Sequence, residues 1–288
     1  MMKKNLLRVF CLVLVLTMVL GVIPAMAAND VTVYVSVSDQ GAPAVTKDGK
    51  PAVLLAVKVP AGSTVEEAII AAHAAYCPDG ADGWEMGESD WGPAMMKIWG
   101  KYDGVGAWYQ NGTMPMDNVK NMTVSDSDYI DLVLYGPDWS DSYACFDVRI
   151  AAVAVGEALT LTLTHDVFDE NWVPAPVALA GAKVTLTDGT LLGTTDAEGK
   201  VKITFSAPGT YVVTASADDT VITAPSCVVT VKDAGYKMYT VKAGDTLWSI
   251  AKAYLGSGFH WGELFQLNAD LVKNPRRIYV GQVLRIPA

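Results

Sequence analysis

Cysteine is scarce in this 288-residue chain: there are four, and no two stand in a CxxC spacing. A disulfide framework or a thiolate zinc site needs paired cysteines at short intervals, so both classes are set aside. Histidine is scarcer still, and His73, His165 and His260 fall in three different parts of the chain. No HExxH, G-x-S-x-G or phosphate-loop pattern occurs, which leaves metalloprotease, serine-hydrolase and nucleotide-hydrolase chemistry without its usual parts. After residue 27 no apolar run approaches the roughly 20 residues that a helix needs to cross a bilayer. Basic residues are also short, 21 Lys and Arg against 31 Asp and Glu, for a net charge of −10. A body of that sign is repelled by nucleic acid and by anionic membranes. The same charge also serves simply to keep an exported protein in solution.

What is present starts with an address. Lys3, Lys4 and Arg8 precede an apolar run from Val9 to Ile23, and Ala25-Met26-Ala27 follows it. A basic region, a short hydrophobic region and an A-x-A site read as a secretory signal peptide over residues 1–27. The other reading, an uncleaved anchor, is disfavoured by the short run and the small residues that end it. Cleavage leaves 18 basic and 31 acidic residues, a net of −13, unevenly spread. From Lys237 onward the balance is +4, so the preceding body carries −17, and the basic tail suits an anionic polymer such as a cell wall. Cys77, Cys145 and Cys227 remain; the first two fall in one predicted domain and are able to pair, leaving the third as a small buried hydrophobe.

Along the chain, residues 31–38 alternate strictly as VTVYVSVS and predict a half-buried strand, with a second from Ala52 to Val59. Ser63-Thr64-Val65-Glu66 reads as a capping box formed by Ser63 and Glu66, opening a helix that runs to about Tyr76. Residues 79–118 crowd Trp84, Trp91, Trp99 and Trp108 together with five methionines. Asn111-Gly112 after a short strand is a hairpin signal, and a further strand is predicted from Asp128 to Tyr135. These elements suggest an α+β domain of the grasp type over 28–147. From 148 to 233 short strands recur about ten residues apart, the pattern of a β-sandwich. The run Gly106-Ala107-Trp108-Tyr109-Gln110-Asn111-Gly112, with Val124 to Ile130, resembles the transcobalamin-C-terminal-like domain of bacterial envelope proteins, although Gln110 departs from the Val or Ile usual there. That resemblance implies a small-molecule ligand such as a corrinoid. Residues 195–201 and 208–215 resemble bacterial Ig-like repeats, whose Asp-x-x-Gly turn joins two strands.

Catalytic constellations are thin. His73 and Cys77 stand at i and i+4 on the predicted helix, yet no orienting third group is near in sequence, and the pair reads as a helix-face histidine beside a buried thiol. Asp79, Asp82, Glu85, Glu88 and Asp90, with Trp84 and Trp91, offer paired carboxylates and aromatics of the kind glycosidases use. In a glycine-rich loop the same set reads as a solvated acidic surface.

The C-terminal stretch from Tyr239 is the most informative. Strands over 239–242 and 282–286 bracket a helix that begins at Asp245, read as its cap, and a second from about Trp261 to Asn268. Leu247, Ile250, Ala251 and Tyr254 share one face of the first helix. The run Tyr239-Thr240-Val241-Lys242-x-Gly244-Asp245-Thr246-Leu247-Trp248-x-Ile250-Ala251, with Asn268 and Tyr279-x-Gly281-Gln282-x-Leu284-x-Ile286-Pro287, resembles a LysM domain. The resemblance implies a shallow groove for N-acetylglucosamine chains of peptidoglycan or chitin, formed by Gly244, Asp245, Thr246 and Leu247 and by Asn274, Pro275, Arg276 and Ile278. Trp248, Leu264 and Leu284 read as core.

The sequence thus predicts a multi-domain secreted protein of the cell wall or extracellular space: an α+β grasp-like domain, an Ig-like β-sandwich over 148–233 and a small βααβ LysM domain over 237–288. It is expected to be no enzyme, to need no cofactor or metal, and to bind an N-acetylglucosamine polymer. Neither nucleic acid nor a membrane span after signal cleavage is expected. The alternatives are a wall-tethered protein that captures a corrinoid-like ligand and, more remotely, a cell-wall hydrolase.

Overall fold

The computed structural model describes residues 29–89, 92–101, 106–136, 141–171, 173–233 and 235–287. The signal-peptide reading of 1–27, Asp90 and Trp91 lie outside them. Among the described residues no helix is long and apolar enough to cross a membrane.

In the first unit, β1 (Asp30–Asp39), β2 (Ala42–Pro43) and β3 (Leu55–Pro60) precede α1 (Val65–Tyr76), and β4 (Glu85–Ser89), β5 (Gly92–Lys97), β6 (Gly106–Gln110) and β7 (Tyr129–Leu134) follow. Alternation along β1 puts Val33, Val35 and Val37 on the helix side. β1 pairs antiparallel with β3 and parallel with β7, and β7 pairs antiparallel with β6, so β1 lies inside the sheet. Val65, Ala68, Ile69 and Ala72 of α1 pack on Val57, Val59, Ile130 and Leu132 in one core. The helix begins one residue later than the sequence reading placed it. Thr64 is the cap, accepting from Glu67 N at 3.2 Å, while Glu67 Oε2 accepts from Thr64 N at 2.8 Å. Two adjacent hydroxyls precede two adjacent glutamates, so the sequence admits both registers, and packing of Val65 and Ala68 selects this one.

The second unit is a two-sheet sandwich. Its strands are β8 (Ala144–Phe146), β9 (Ile150–Ala154), β10 (Ala158–Phe168), β11 (Pro174–Ala178), β12 (Lys183–Leu186), β13 (Leu191–Thr194), β14 (Lys200–Thr204), β15 (Gly209–Ser216) and β16 (Cys227–Lys232). One sheet holds β11, β10 and β14 with β8 beside β10; the other runs β13-β12-β15-β16-β9. Leu161, Leu163, Val201 and Ile203 from the first meet Val184, Val213, Val229 and Val231 from the second. β8 therefore belongs to the sandwich, although it precedes the boundary at 147 read from the sequence. Cys145 sits on this strand while Cys77 closes α1 in the other core, and both thiols are free, so the pairing open to them is not made. Asp196 Oδ1 accepts from Glu198 N at 3.0 Å and Lys200 N at 2.8 Å, which gives the Asp-x-x-Gly segment a turn-forming job.

A buried polar lock joins these units. Asp131 on β7 accepts from the guanidinium of Arg149 through one carboxylate oxygen and from Tyr143 Oη, at 2.6 Å, through the other. The Arg149 and Asp131 side chains are only 9% and 10% exposed. Tyr143 stacks flat on Tyr109, with ring centroids 3.5 Å apart. Ala224 N donates to Ser38 Oγ across the same seam at 2.9 Å.

The third unit has β17 (Tyr236–Thr240), α2 (Leu247–Tyr254), α3 (Trp261–Leu267) and β18 (Val283–Pro287), with β17 and β18 antiparallel. Its core is small: Val241, Leu247, Ile250, Ala251, Leu264, Val272, Leu284 and Ile286. Asn268, fully buried, ties α3 to β18 by donating to Leu264 O and Arg285 O and accepting from Arg285 N, all at 2.7–2.8 Å.

Candidate functional site

The groove on the third unit is built from two loops and two helix starts. Gly244, at φ +86°, turns the chain out of β17 into a conformation that a side chain resists. Asp245 then does not cap α2, contrary to the sequence reading. Its Oδ2 accepts from Lys242 N and from Tyr239 Oη, each at 2.7 Å, so the carboxylate closes the turn behind the helix. Thr246 takes the cap, accepting from Ser249 N at 3.0 Å while Ser249 Oγ accepts from Thr246 N at 2.9 Å. On the opposite side Asn274 Oδ1 accepts from Arg276 N at 2.9 Å, and Asn274 O accepts from Arg277 N at 2.9 Å. That turn fixes the segment carrying Pro275, Arg276 and Ile278.

The groove between these loops has a volume of about 530 Å³ and is open on one side. Of the eight residues drawn from the sequence, Asp245, Thr246, Leu247, Pro275, Arg276 and Ile278 line it together. Gly244 and Asn274 stand outside the lining and shape the two loops that carry it.

Two wall residues were missed. Trp248 and Trp261 line the groove, with 44% and 39% of their surface exposed. The core role assigned to Trp248 is thus wrong, while Leu264 and Leu284 are fully buried as expected. A signal was available. Leu247 faces the core, and the next residue lies about 100° round a helix, on the solvent side. The Trp248 ring lies against Gly258, where any Cβ would stand 2.2 Å from Cε2, and meets Phe259 edge-on at 4.8 Å. Tyr254 likewise leaves the core, 53% exposed and edge-on to Tyr239.

Electrostatics at the site centre on Asp245. Its hydrogen bond from Tyr239, then that from Lys242 N, hold the carboxyl below the usual carboxylate range, while Tyr239 is pushed up to about 12. A depressed folded pKa contributes stability above the unfolded value of about 4 and loses it as pH falls through the folded value. Asp245→Asn is therefore expected to lower the Tm of this unit at pH 7, with the gap from the parent closing toward about pH 2. Parallel melts across that range check it, and a gap that persists unchanged at low pH would refute the assignment.

The His73 and Cys77 pair singled out for catalysis is used elsewhere. His73 is fully buried; Nδ1 donates to Ile69 O at 2.8 Å, and Nε2 accepts from Trp99 N at 3.0 Å. Desolvation holds this imidazole below its ordinary pKa and pushes the Cys77 thiol up, so the pair is neutral core. Trp84, Trp99 and Trp108 also pack into the first core, which takes these rings away from the ligand-capture reading.

Comparison with known proteins places the groove. Residues 239–287 match the LysM domain. The chain is 47% identical over 51 residues to the potassium binding protein Kbp of Escherichia coli O6:H1 strain CFT073, a match covering 18% of this chain and 34% of that protein. It is also 37% identical to the uncharacterized protein YqbP of Bacillus subtilis strain 168, covering 18% of this chain and 27% of the relative. This chain thus spans about a third or less of these relatives. Among solved structures, the tandem Ig repeats of Dlar and Sidekick-1 immunoglobulin domains 1–4 share 10% and 11% identity. They cover 45% and 75% of this chain, and 83% and 55% of theirs, at TM-scores of 0.19 and 0.20, too low to support any inference.

Proposed function

We propose that this chain is a non-catalytic, wall-associated binding protein whose LysM domain takes N-acetylglucosamine-containing glycan, exported by the segment 1–27. LysM domains bind such polymers. The observation that carries the reading here is the groove itself, in which two half-exposed tryptophans face fixed loops carrying Pro275, Arg276 and Ile278. Indole faces suit the apolar face of a pyranose, and loop peptides offer donors and acceptors to an N-acetyl group. An open groove of this size buries little of a ligand, so a single domain binds weakly, and retention depends on the many repeats of the polymer.

The acidic units preceding it are what the LysM domain holds at the wall. We read the first as grasp-like, because the helix-bearing sheet sets its first strand parallel to its last, and the second as an Ig-like sandwich. The buried lock between them makes the pair one presented body.

Sedimentation with purified sacculi tests the reading. The full chain is expected to pellet, and a chain ending at Asp233, just past β16, to stay in the supernatant. Trp248→Ala is expected to weaken pelleting about tenfold, the scale of removing one aromatic ring from a small interface. Equal pelleting of full and shortened chains would sink the assignment.

A further inference from the structure

We propose that Arg276 makes the LysM groove selective for a glycan bearing carboxylates over a neutral chitin-type chain. This rests on the glycan-binding reading above and narrows it. Arg276 is exposed and lines the groove, and its guanidinium has no hydrogen-bond or ion-pair partner among the described residues. The other described arginines with a structural task show the contrast. Arg285 donates to Asp270 at 2.8 Å and lies over the Tyr236 ring, and Arg149 is buried on Asp131.

The backbone beneath Arg276 is held although its side chain is not. Asn274 accepts from Arg276 N and from Arg277 N, so the guanidinium projects from a fixed turn beside Pro275. One other charged side chain, Asp245, lines the groove, and its Oδ2 is occupied by Tyr239 Oη and Lys242 N. A neutral sugar chain gives a guanidinium isolated hydroxyl acceptors. A carboxylate gives it two oxygens matched to its fork, with charge assistance. The apolar tryptophan walls grip any N-acetylated chain alike, so discrimination falls to the cation. Two carboxylate sources fit this chemistry: an ether-linked lactyl group on the amino sugar itself, or the peptide that such a sugar carries.

Calorimetric titration of the full chain distinguishes the cases with three probes: chitotetraose, a peptide-free tetrasaccharide of alternating N-acetylglucosamine and N-acetylmuramic acid, and the same tetrasaccharide bearing its peptides. At least one acidic probe is expected to bind about fivefold tighter than chitotetraose at low salt, the scale of one exposed ion pair. That advantage should fade at high salt. A preference already present without peptide assigns the lactyl carboxylate, and one seen only with peptide assigns the peptide. In Arg276→Gln the preference is expected to vanish, the acidic probes losing about fivefold more affinity than chitotetraose; Arg276→Lys should keep part of it. Equal binding of all three probes overturns the selectivity but leaves the glycan-binding reading standing. Equal weakening of every probe by Arg276→Gln overturns it too, by making Arg276 a general contact. Failure of all three to bind overturns both.

Discussion

Asn268→Ala is expected to remove most of the stability of the LysM domain while leaving the rest of the chain folded. The side chain is fully buried and makes three hydrogen bonds to backbone groups, two of them on β18 and one within α3. Truncation leaves Leu264 O, Arg285 O and Arg285 N without this partner, the first in a buried and the other two in a part-buried setting. At roughly 1 kcal/mol or more for each stranded group, the cost is about 3–4 kcal/mol. A domain of this length has about 3–7 kcal/mol in total, so most of its stability goes. Denaturant titration followed by amide exchange, or by fluorescence of Trp248 and Trp261, reads this transition apart from the others. A midpoint unchanged within error would show that the clamp is not needed. Asn268→Asp is expected to fare little better, since the carboxylate accepts from Arg285 N but cannot donate to the two carbonyls.

The second large effect lies at the seam between the two acidic units. Asp131→Ala strands a buried Arg149 guanidinium whose Nε already has no partner, and it removes the acceptor of Tyr143 Oη. An uncompensated buried charge of this kind costs about 3–5 kcal/mol. The double replacement Asp131→Leu with Arg149→Met is expected to regain most of that, because neither desolvated charge remains. Denaturant unfolding of parent, single and double variants gives the coupling directly. If the double variant is as unstable as the single one, the seam is held by packing and the ion pair is incidental. Because Arg149 just precedes β9 and Asp131 sits on β7, loss of the lock also uncouples the two acidic units. Apart from the LysM transition, the acidic units of the single variant should then unfold in two steps where those of the parent unfold in one.

Much of the architecture was legible from local pattern. Alternation marked β1, and the recurrence of short strands about ten residues apart marked the sandwich. What escaped has identifiable causes. β11 contains Pro174 and Pro176, which argue against a central strand, and it survives because it lies at a sheet edge beside β10. The Asn111-Gly112 turn has both residues at positive φ, as that dipeptide favours, but it closes on Thr113, and β6 finds its partner β7 only after a further loop. The crowd of tryptophans suggested a ligand site, whereas Trp84, Trp99 and Trp108 fill the space beneath α1.

For the LysM domain, sequence by itself determined the strand, helix, helix, strand order and brought six groove residues to light, because glycine turns, helix caps and apolar spacing act over a few residues. Tertiary structure decided the rest. It turned Trp248 and Trp261 outward as walls, gave the cap to Thr246 and the loop closure to Asp245, and left the Arg276 guanidinium unspent. It also brought Asp131, Tyr143 and Arg149 together from different elements. Each of these depends on which groups become neighbours after the chain has folded. A hydrogen bond or an exposed ring face is settled by those neighbours, and local spacing carries no record of them.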